Sequence, residues 1–257
     1  MIRLFLDLVF LLFLYGAFIE PHRKKVRHIK ISEDKGLKIA HFSDSHFAWH
    51  TSYRRFRKFV KVLEQEKPDL ILFSGDLFDK VSWGERHYQE VEGLLTGLEA
   101  PLGKLAILGN HDFAGNGQGS KFVSQLLERS GFQLLVNACQ TIDDRLSISG
   151  LDDLREGRPD FDIQPEPADF SLLMIHEPDT VLSLKHAGDF DLIIAGHSHG
   201  GQIRIGKLRM KNNGSKSYDR GLYELPRGGQ LFVNSGLGQT FLPIRIGVPP
   251  EIVFYEL

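Results

Sequence analysis

A set of side chains able to hold a cation or move a proton stands directly after short apolar runs. Asp44 and His46 follow the run at 37–42, and Asp76 follows 70–73. Asn110, His111 and Asp112 follow 105–108, His176 follows 172–175, and His197 and His199 follow 192–195. Divalent cations take hard oxygen or imidazole donors, and seven of these residues supply them: Asp44, His46, Asp76, Asn110, His176, His197 and His199. In an open α/β sheet, ligands bind outside the carboxyl ends of the strands. Donors at run ends therefore converge even when far apart in the chain. Seven exceed what one ion holds in such sites but suit two ions sharing one carboxylate. Asp76, alone after Gly75, is the best bridging candidate. Two ions about 3.5–4 Å apart clamp a phosphoryl group and lower the pKa of a shared water. Mixed imidazole and carboxylate suits Mn, Fe or Zn better than Ca and does not choose among the three; Mn is the first expectation, with Fe or Zn as alternatives. Taken singly, Asp-x-His and Gly-Asp are usually structural, and Gly-Asn-His-Asp is also a turn sequence. The signal lies in their occurring in order at successive run ends.

The runs read as strands and the segments between them as helices. At 53–67, Phe56, Phe59, Val60 and Leu63 recur with helical spacing while Arg54, Arg55, Arg57, Lys58 and Lys61 take the other faces. Val91, Leu94, Leu95 and Leu98 mark a second amphipathic helix, and a Gly-rich loop at 115–120 leads into a third carrying Phe122, Val123, Leu126 and Leu127. This strand–helix–strand opening predicts a largely parallel α/β sheet. Short strands are expected at 134–136, 146–148, 231–233 and 251–255, with a loop at 155–169 and a loop or hairpin at 207–229. His41, inside a run, reads as a core histidine. Arg155, Arg158, Lys207, Arg209, Lys211 and Lys216 are candidate phosphate contacts whose ordinary reading is a solvated surface.

At this point the residues resemble a family. Asp44-x-His46, Gly75-Asp76, Gly109-Asn110-His111-Asp112, His176 and Gly196-His197-x-His199 look like the full motif series of the calcineurin-like metallophosphoesterases. Gly200-Gly201-Gln202 and the closing Ser235-Gly236-Leu237-Gly238, Pro243-Ile244-Arg245 and Pro250-Glu251 are similar to a bacterial membrane-associated phosphodiesterase branch, with UDP-diacylglucosamine hydrolases of lipid A synthesis among its chemistries. The resemblance implies a sandwich of two mixed β-sheets flanked by helices. It implies one metal on Asp44, His46, Asp76 and His199, and another on Asp76, Asn110, His176 and His197. It also implies catalytic roles for His111, facing the leaving-group oxygen, and for Asp112, which would hold that imidazole in orientation.

Composition sets the remaining bounds. The 257 residues carry a net charge of -2, which argues against a globally basic nucleic-acid binder and so against a nuclease of the same fold. Retention of all seven donors argues against a non-catalytic scaffold. Cys139 is the only cysteine, so thiolate zinc sites and intramolecular disulfides are excluded. Residues 2–19 form a nearly continuous apolar run, interrupted by Arg3 and Asp7 and followed by Arg23, Lys24, Lys25, Arg27 and Lys30. A span needs about 20 apolar residues, and basic flanks stay cytoplasmic. The expected organisation is a membrane-anchor helix at 1–20, a basic linker at 21–36 and a phosphoesterase domain at 37–257. The catalytic face would lie at the cytoplasmic side of a bacterial membrane, near a lipid-linked phosphate substrate.

Overall fold

The computed structural model describes residues 1–32, 36–51, 53–114, 117–142 and 144–257. Strands β1 (Lys25–Lys30), β2 (Lys38–Phe42), β3 (Leu70–Ser74), β4 (Lys104–Ile107) and β5 (Phe132–Leu134) belong to one sheet. Strands β6 (Ala138–Ile142), β7 (Leu146–Gly150), β8 (Phe170–Met174) and β9 (Leu192–Ala195) belong to a second. After a small hairpin of β10 (Arg204–Ile205) and β11 (Leu208–Arg209), β12 (Gly221–Glu224) and β13 (Gln230–Val233) rejoin the second sheet. The last strand, β14 (Glu251–Glu256), returns to the first, giving orders β1-β14-β2-β3-β4-β5 and β12-β13-β9-β8-β7-β6. β2 to β5 run parallel as expected, and the antiparallel pairing of β14 on β2 makes the sheet mixed.

The period-2 alternation of strand side chains sets the layers. Ile39, Leu70, Leu72, Leu105 and Ile107 face the second sheet and meet Ile148, Leu172, Met174, Leu192 and Ile194. Their neighbours Ala40, Phe42, Ile71, Phe73 and Ala106 face the other way. There they are covered by α2 (Tyr53–Glu66) through Phe56, Phe59 and Leu63, by α3 (Val81–Thr96) through Val91 and Leu95, and by α4 (Gln118–Arg129) through Val123 and Leu126. The outer face of the second sheet is capped by Val181, Leu184 and Phe190. Strands buried on both faces read as continuous apolar runs. The expected sandwich of two mixed sheets flanked by helices is the architecture found.

Three boundaries differ from expectation. Residues 25–30, expected within a basic linker, are edge strand β1, paired in parallel with β14. Lys25 and Arg27 project onto the buried Glu251 carboxylate at 3.5 and 3.3 Å, so part of the basic cluster serves the fold. β5 begins two residues before the expected 134–136. β6 was not expected, because its half-buried edge sequence lacks an apolar alternation. Gly115 and Asn116 of the expected Gly-rich loop, and 33–35 of the expected linker, lie outside the described residues.

The N-terminal segment stands apart from this packing. Residues 2–13, nearly all of α1 (Ile2–Leu14), are exposed. Helical structure continues without a break to His22, long and apolar enough to cross a membrane.

Candidate metal centre

The seven expected donors come together at the carboxyl ends of β2, β3, β4, β8 and β9. Six of their side chains fall into two groups, Asp44 with His46 and His199, and Asp76 with His176 and His197, each within 4.8 Å, and His46 also groups with Asp79 and His111. Asp76 Oδ2 stands between them, 3.3 Å from His46 Nε2 and 3.2 Å from His176 Nε2. Asn110 Oδ1 lies 3.0 Å from His197 Nδ1. The two histidines of the His-x-His pair thus fall in different groups.

Tight turns make this convergence possible. Asp44, His46, Asp76, His197 and His199 all have left-handed backbone, with φ of 50°, 39°, 62°, 64° and 51°. Such conformations cost energy in non-glycine residues and persist where surrounding contacts over-determine them. The contacts here are specific. The Asp44 and His46 N–H groups donate to the carbonyls of Gly75 and Asp76, tying the β2 and β3 ends. His197 N–H donates to both Asp44 carboxylate oxygens at 3.0 Å, tying the β9 end to β2 across the sheets. Glycine is required at two close approaches. A Cβ on Gly196 would overlap Ser43 Oγ, and one on Gly109 would overlap the Asp76 carboxylate and the His176 ring.

The donor chemistry fits cations. His176 Nδ1–H donates to the Ser74 carbonyl at 2.7 Å, which fixes the tautomer and leaves Nε2, buried and without a hydrogen bond among the described residues, facing Asp76. His197 gives its Nε2–H to the Asn213 carbonyl at 2.7 Å, so its Nδ1 lone pair and Asn110 Oδ1 face the same point. His46 and His199 oppose their Nε2 atoms at 3.0 Å.

Electrostatics agree. Burial disfavours the charged form of Asp76, but His176, His111 and His46 hold its carboxyl well below the usual range. Asp44 is likewise held low, by His199 and His46 against its burial. Against desolvation, Asp44 and Asp76 raise His46 to about 9, and His176 is also raised, chiefly by Asp76. Burial, reinforced by His176, lowers His197 to about 4. The carboxylates therefore draw positive charge to this point, which divalent cations would supply while leaving the imidazoles neutral.

His111 borders the same cleft, its ring edge-on to His46 with centroids 4.7 Å apart. Its orientation comes from Asp79, which lies outside the strand-end motifs. Nδ1–H donates to the Asp79 carbonyl at 2.9 Å. Asp112, expected to orient His111, does something else. Its Oδ2 accepts the Asp76 and Gly109 N–H groups at 2.9 Å, and its Oδ1 the Leu77 N–H at 2.8 Å. That carboxylate pins the Asp76 loop to the 109–112 turn. Its neighbour's imidazole points away from it because adjacent residues of a tight turn project in different directions.

The cleft, about 340 Å³, is also lined by Arg155, Lys211, Asn212, Asn213 and Thr240. Arg155 and Lys211 place two cations beside the donors. Two further buried groups, Gln202 and Arg245, brace the loops behind it. Arg245 hydrogen-bonds the Ser235, Gly236 and Val248 carbonyls and approaches His199 Nδ1 at 3.3 Å. His41 is a satisfied core histidine, 3.0 Å from the Tyr255 hydroxyl and 2.8 Å from Ser74 Oγ.

The calcineurin-like phosphoesterase family model matches residues 37–201. The chain is similar to the uncharacterized metallophosphoesterase YkuE of Bacillus subtilis (strain 168), 34% identical over 95% of this chain and 88% of that protein. It is also similar to the UDP-2,3-diacylglucosamine pyrophosphatase LpxG of Chlamydia trachomatis serovar D, 28% identical over 94% of this chain and 92% of that protein. Among solved structures, TT1561 of Thermus thermophilus aligns with 79% of this chain and 91% of its own, at 11% identity and a TM-score of 0.46.

Proposed function

Because the chain belongs to the calcineurin-like phosphoesterase family, and is on that ground a metal-dependent hydrolase, we propose that it cleaves a lipid-linked phosphodiester or diphosphate at the cytoplasmic face of a bacterial membrane. Its leading candidate substrate is UDP-2,3-diacylglucosamine. The observation that carries the hydrolytic part is Asp76 Oδ2 standing within 3.3 Å of histidines from both donor groups. Asp44, His46, Asp76 and His199 would hold one divalent ion, and Asp76, Asn110, His176 and His197 the other, with manganese the first choice. When bound, such a pair neutralises phosphoryl oxygens and activates water.

The chain's own groups do the rest. Arg155 and Lys211 attract the phosphate into the cleft and offset charge on its outer oxygens. His111, with Nδ1–H engaged by Asp79, carries and releases a proton only at Nε2. It therefore donates to the departing oxygen. Asp112 keeps Asp76 in register with the turn that bears Asn110 and His111.

Two features support the lipid-linked part: the sequence similarity to LpxG and the exposed apolar helix at the N-terminus. In this reading residues 1–20 anchor the protein, with Arg23 and Lys24 on the cytoplasmic side, and residues from β1 onward form the catalytic body. The test uses full-length, manganese-loaded protein in detergent with p-nitrophenyl phosphate, bis(p-nitrophenyl) phosphate and UDP-2,3-diacylglucosamine. UMP release from the last is expected. Cleavage of the aryl diester with no UMP would overturn the substrate assignment.

A further inference from the structure

Beside the metal cleft lies a second cavity, of about 520 Å³, that the reaction as described does not use. It shares His111 and Thr240 with the cleft and is lined by the apolar Trp49, Trp83, Phe241 and Pro243 and by the charged Asp79, Lys80 and Arg86. Phe241 is 87% exposed and Trp49 80% exposed, an unusual state for two large apolar side chains next to a polar active site.

Phe241 is also held there by specific contacts. Its φ is +62°, a left-handed conformation that bulky residues rarely adopt. The support comes from Gln202, three residues past His199. Its side-chain amide donates to the Thr240 and Leu242 carbonyls at 3.0 and 2.9 Å and accepts the Thr240 N–H at 3.0 Å. Thr240 Oγ1 in turn donates to Asp79, the residue whose carbonyl orients His111. Farther along the same segment, the Arg245 N–H donates to the Gly16 carbonyl at 2.9 Å, and a methyl on Gly16 would overlap Ile244 and Ile246. The loop presenting Phe241 is therefore fastened at one end to Asp79, which orients His111, and at the other to the base of the apolar N-terminal helix.

We infer that this cavity is the subsite for the apolar chain of the substrate, on the leaving-group side of the phosphorus, with Phe241 and Trp49 as its walls and Gln202 positioning Phe241. The inference deepens the lipid-linked reading and rests on it for the natural ligand. The occupant follows from three facts: the cavity touches His111, Trp49, Trp83, Phe241 and Pro243 give it an apolar wall beside the charged Asp79, Lys80 and Arg86, and its loop is continuous with the segment that would meet the bilayer.

The probes are ethyl phosphate and submicellar decyl phosphate, each as an inhibitor of bis(p-nitrophenyl) phosphate turnover by the full-length manganese-loaded protein. Both present the same phosphate to the metals, so the ratio of their inhibition constants reads the chain alone. Decyl phosphate should bind about ten-fold or more tightly in the wild type, as burial of several methylenes requires. That ratio should fall to within about two-fold in Phe241→Ala and in Trp49→Ala, with Gln202→Ala between, since less apolar wall remains to cover the chain. Phe241 and Trp49 are largely exposed, so neither truncation opens a core cavity. An equal ratio in wild type and both aromatic variants would overturn the subsite. So would a retained ratio with weakened vesicle binding, because Phe241 would then be wedging into lipid instead. A preserved decyl preference without UMP release from UDP-2,3-diacylglucosamine would keep the subsite and retire that substrate.

Discussion

Around the cleft, the carboxylates of Asp44, Asp76 and Asp112 are withdrawn from solvent and each is surrounded, while Arg155 and Lys211 stay exposed. Asp44 is fully buried and accepts the His197 N–H with both oxygens. Asp112 is fully buried and accepts three backbone N–H groups. On the N-terminal flank the opposite holds: Leu4, Phe5, Leu6, Leu8, Val9 and Phe10 are all more than half exposed except Val9 at 49%. A folded chain tolerates buried charge only when it is paired or bound, and exposed apolar surface of this extent marks contact with something else. The two regions therefore present different chemistry, hard donors suited to ions on one and a continuous exposed apolar surface on the other. They meet where Arg245 touches both His199 and Gly16.

The largest effect expected within the cleft comes from Asp76→Asn. The amide keeps the shape but removes the negative charge shared by both donor groups. Activity on bis(p-nitrophenyl) phosphate should fall about 10³-fold or more, together with bound manganese measured by elemental analysis. Full metal content with that loss would show that Asp76 is not a ligand. His111→Ala should lower turnover about 10²–10³-fold while manganese content stays at the wild-type value. Unchanged turnover would remove His111 from proton transfer. The pair of variants separates holding an ion from moving a proton.

Asp112→Asn breaks the support beneath both. An amide nitrogen would face backbone N–H donors, leaving one of them unsatisfied, so a stability loss of about 1–3 kcal/mol is expected in urea unfolding. Metal affinity should fall by about 10–100-fold, the usual range for residues that orient ligands. A variant with wild-type stability and metal affinity but the turnover of His111→Ala would restore the role of imidazole partner that the geometry gives to Asp79.

Much of this was legible in the chain because strand-end motifs carry their chemistry locally. Asp44-x-His46 and His197-x-His199 each follow an apolar run, and a parallel sheet brings run ends together whatever their separation in sequence. The helices at 53–66 and 118–129 were legible for the same reason, a regular apolar period. What was hidden depends on the third dimension. The Asp79 carbonyl acts through the backbone, so no side-chain pattern announces it. Asp112 is adjacent to His111 in sequence but turned from it by the geometry of the 3₁₀ turn. Gln202 works through hydrogen bonds to a loop 38 and 40 residues away, and it read only as part of a Gly-Gly-Gln string. β1 was misread because its lysine and arginine look like a linker until β14 places Glu251 beneath them.

That strand supplies the smallest expected effect and the sharpest test of where the buried-charge region ends. Glu251 is fully buried, with Lys25 and Arg27 on one oxygen and Ser235 on the other. Burial alone would raise its carboxyl, but Arg27, Ser235 and Lys25 outweigh it and hold the folded-state value below the ordinary 4.5. A depressed value contributes stability that is present above the unfolded carboxyl range and lost as pH falls through the folded value. Glu251→Gln removes that term. The variant should lose about 1–2 kcal/mol at neutral pH, because Lys25 and Arg27 are partly exposed and solvent recovers some of their charge. Its stability should then approach that of the wild type as both are acidified through and below the ordinary carboxyl range. If β1 were only a linker, the substitution would cost nothing at any pH. If the loss instead persisted undiminished at low pH, the Ser235 hydrogen bonds alone would account for it, and the basic cluster would belong with the membrane flank after all.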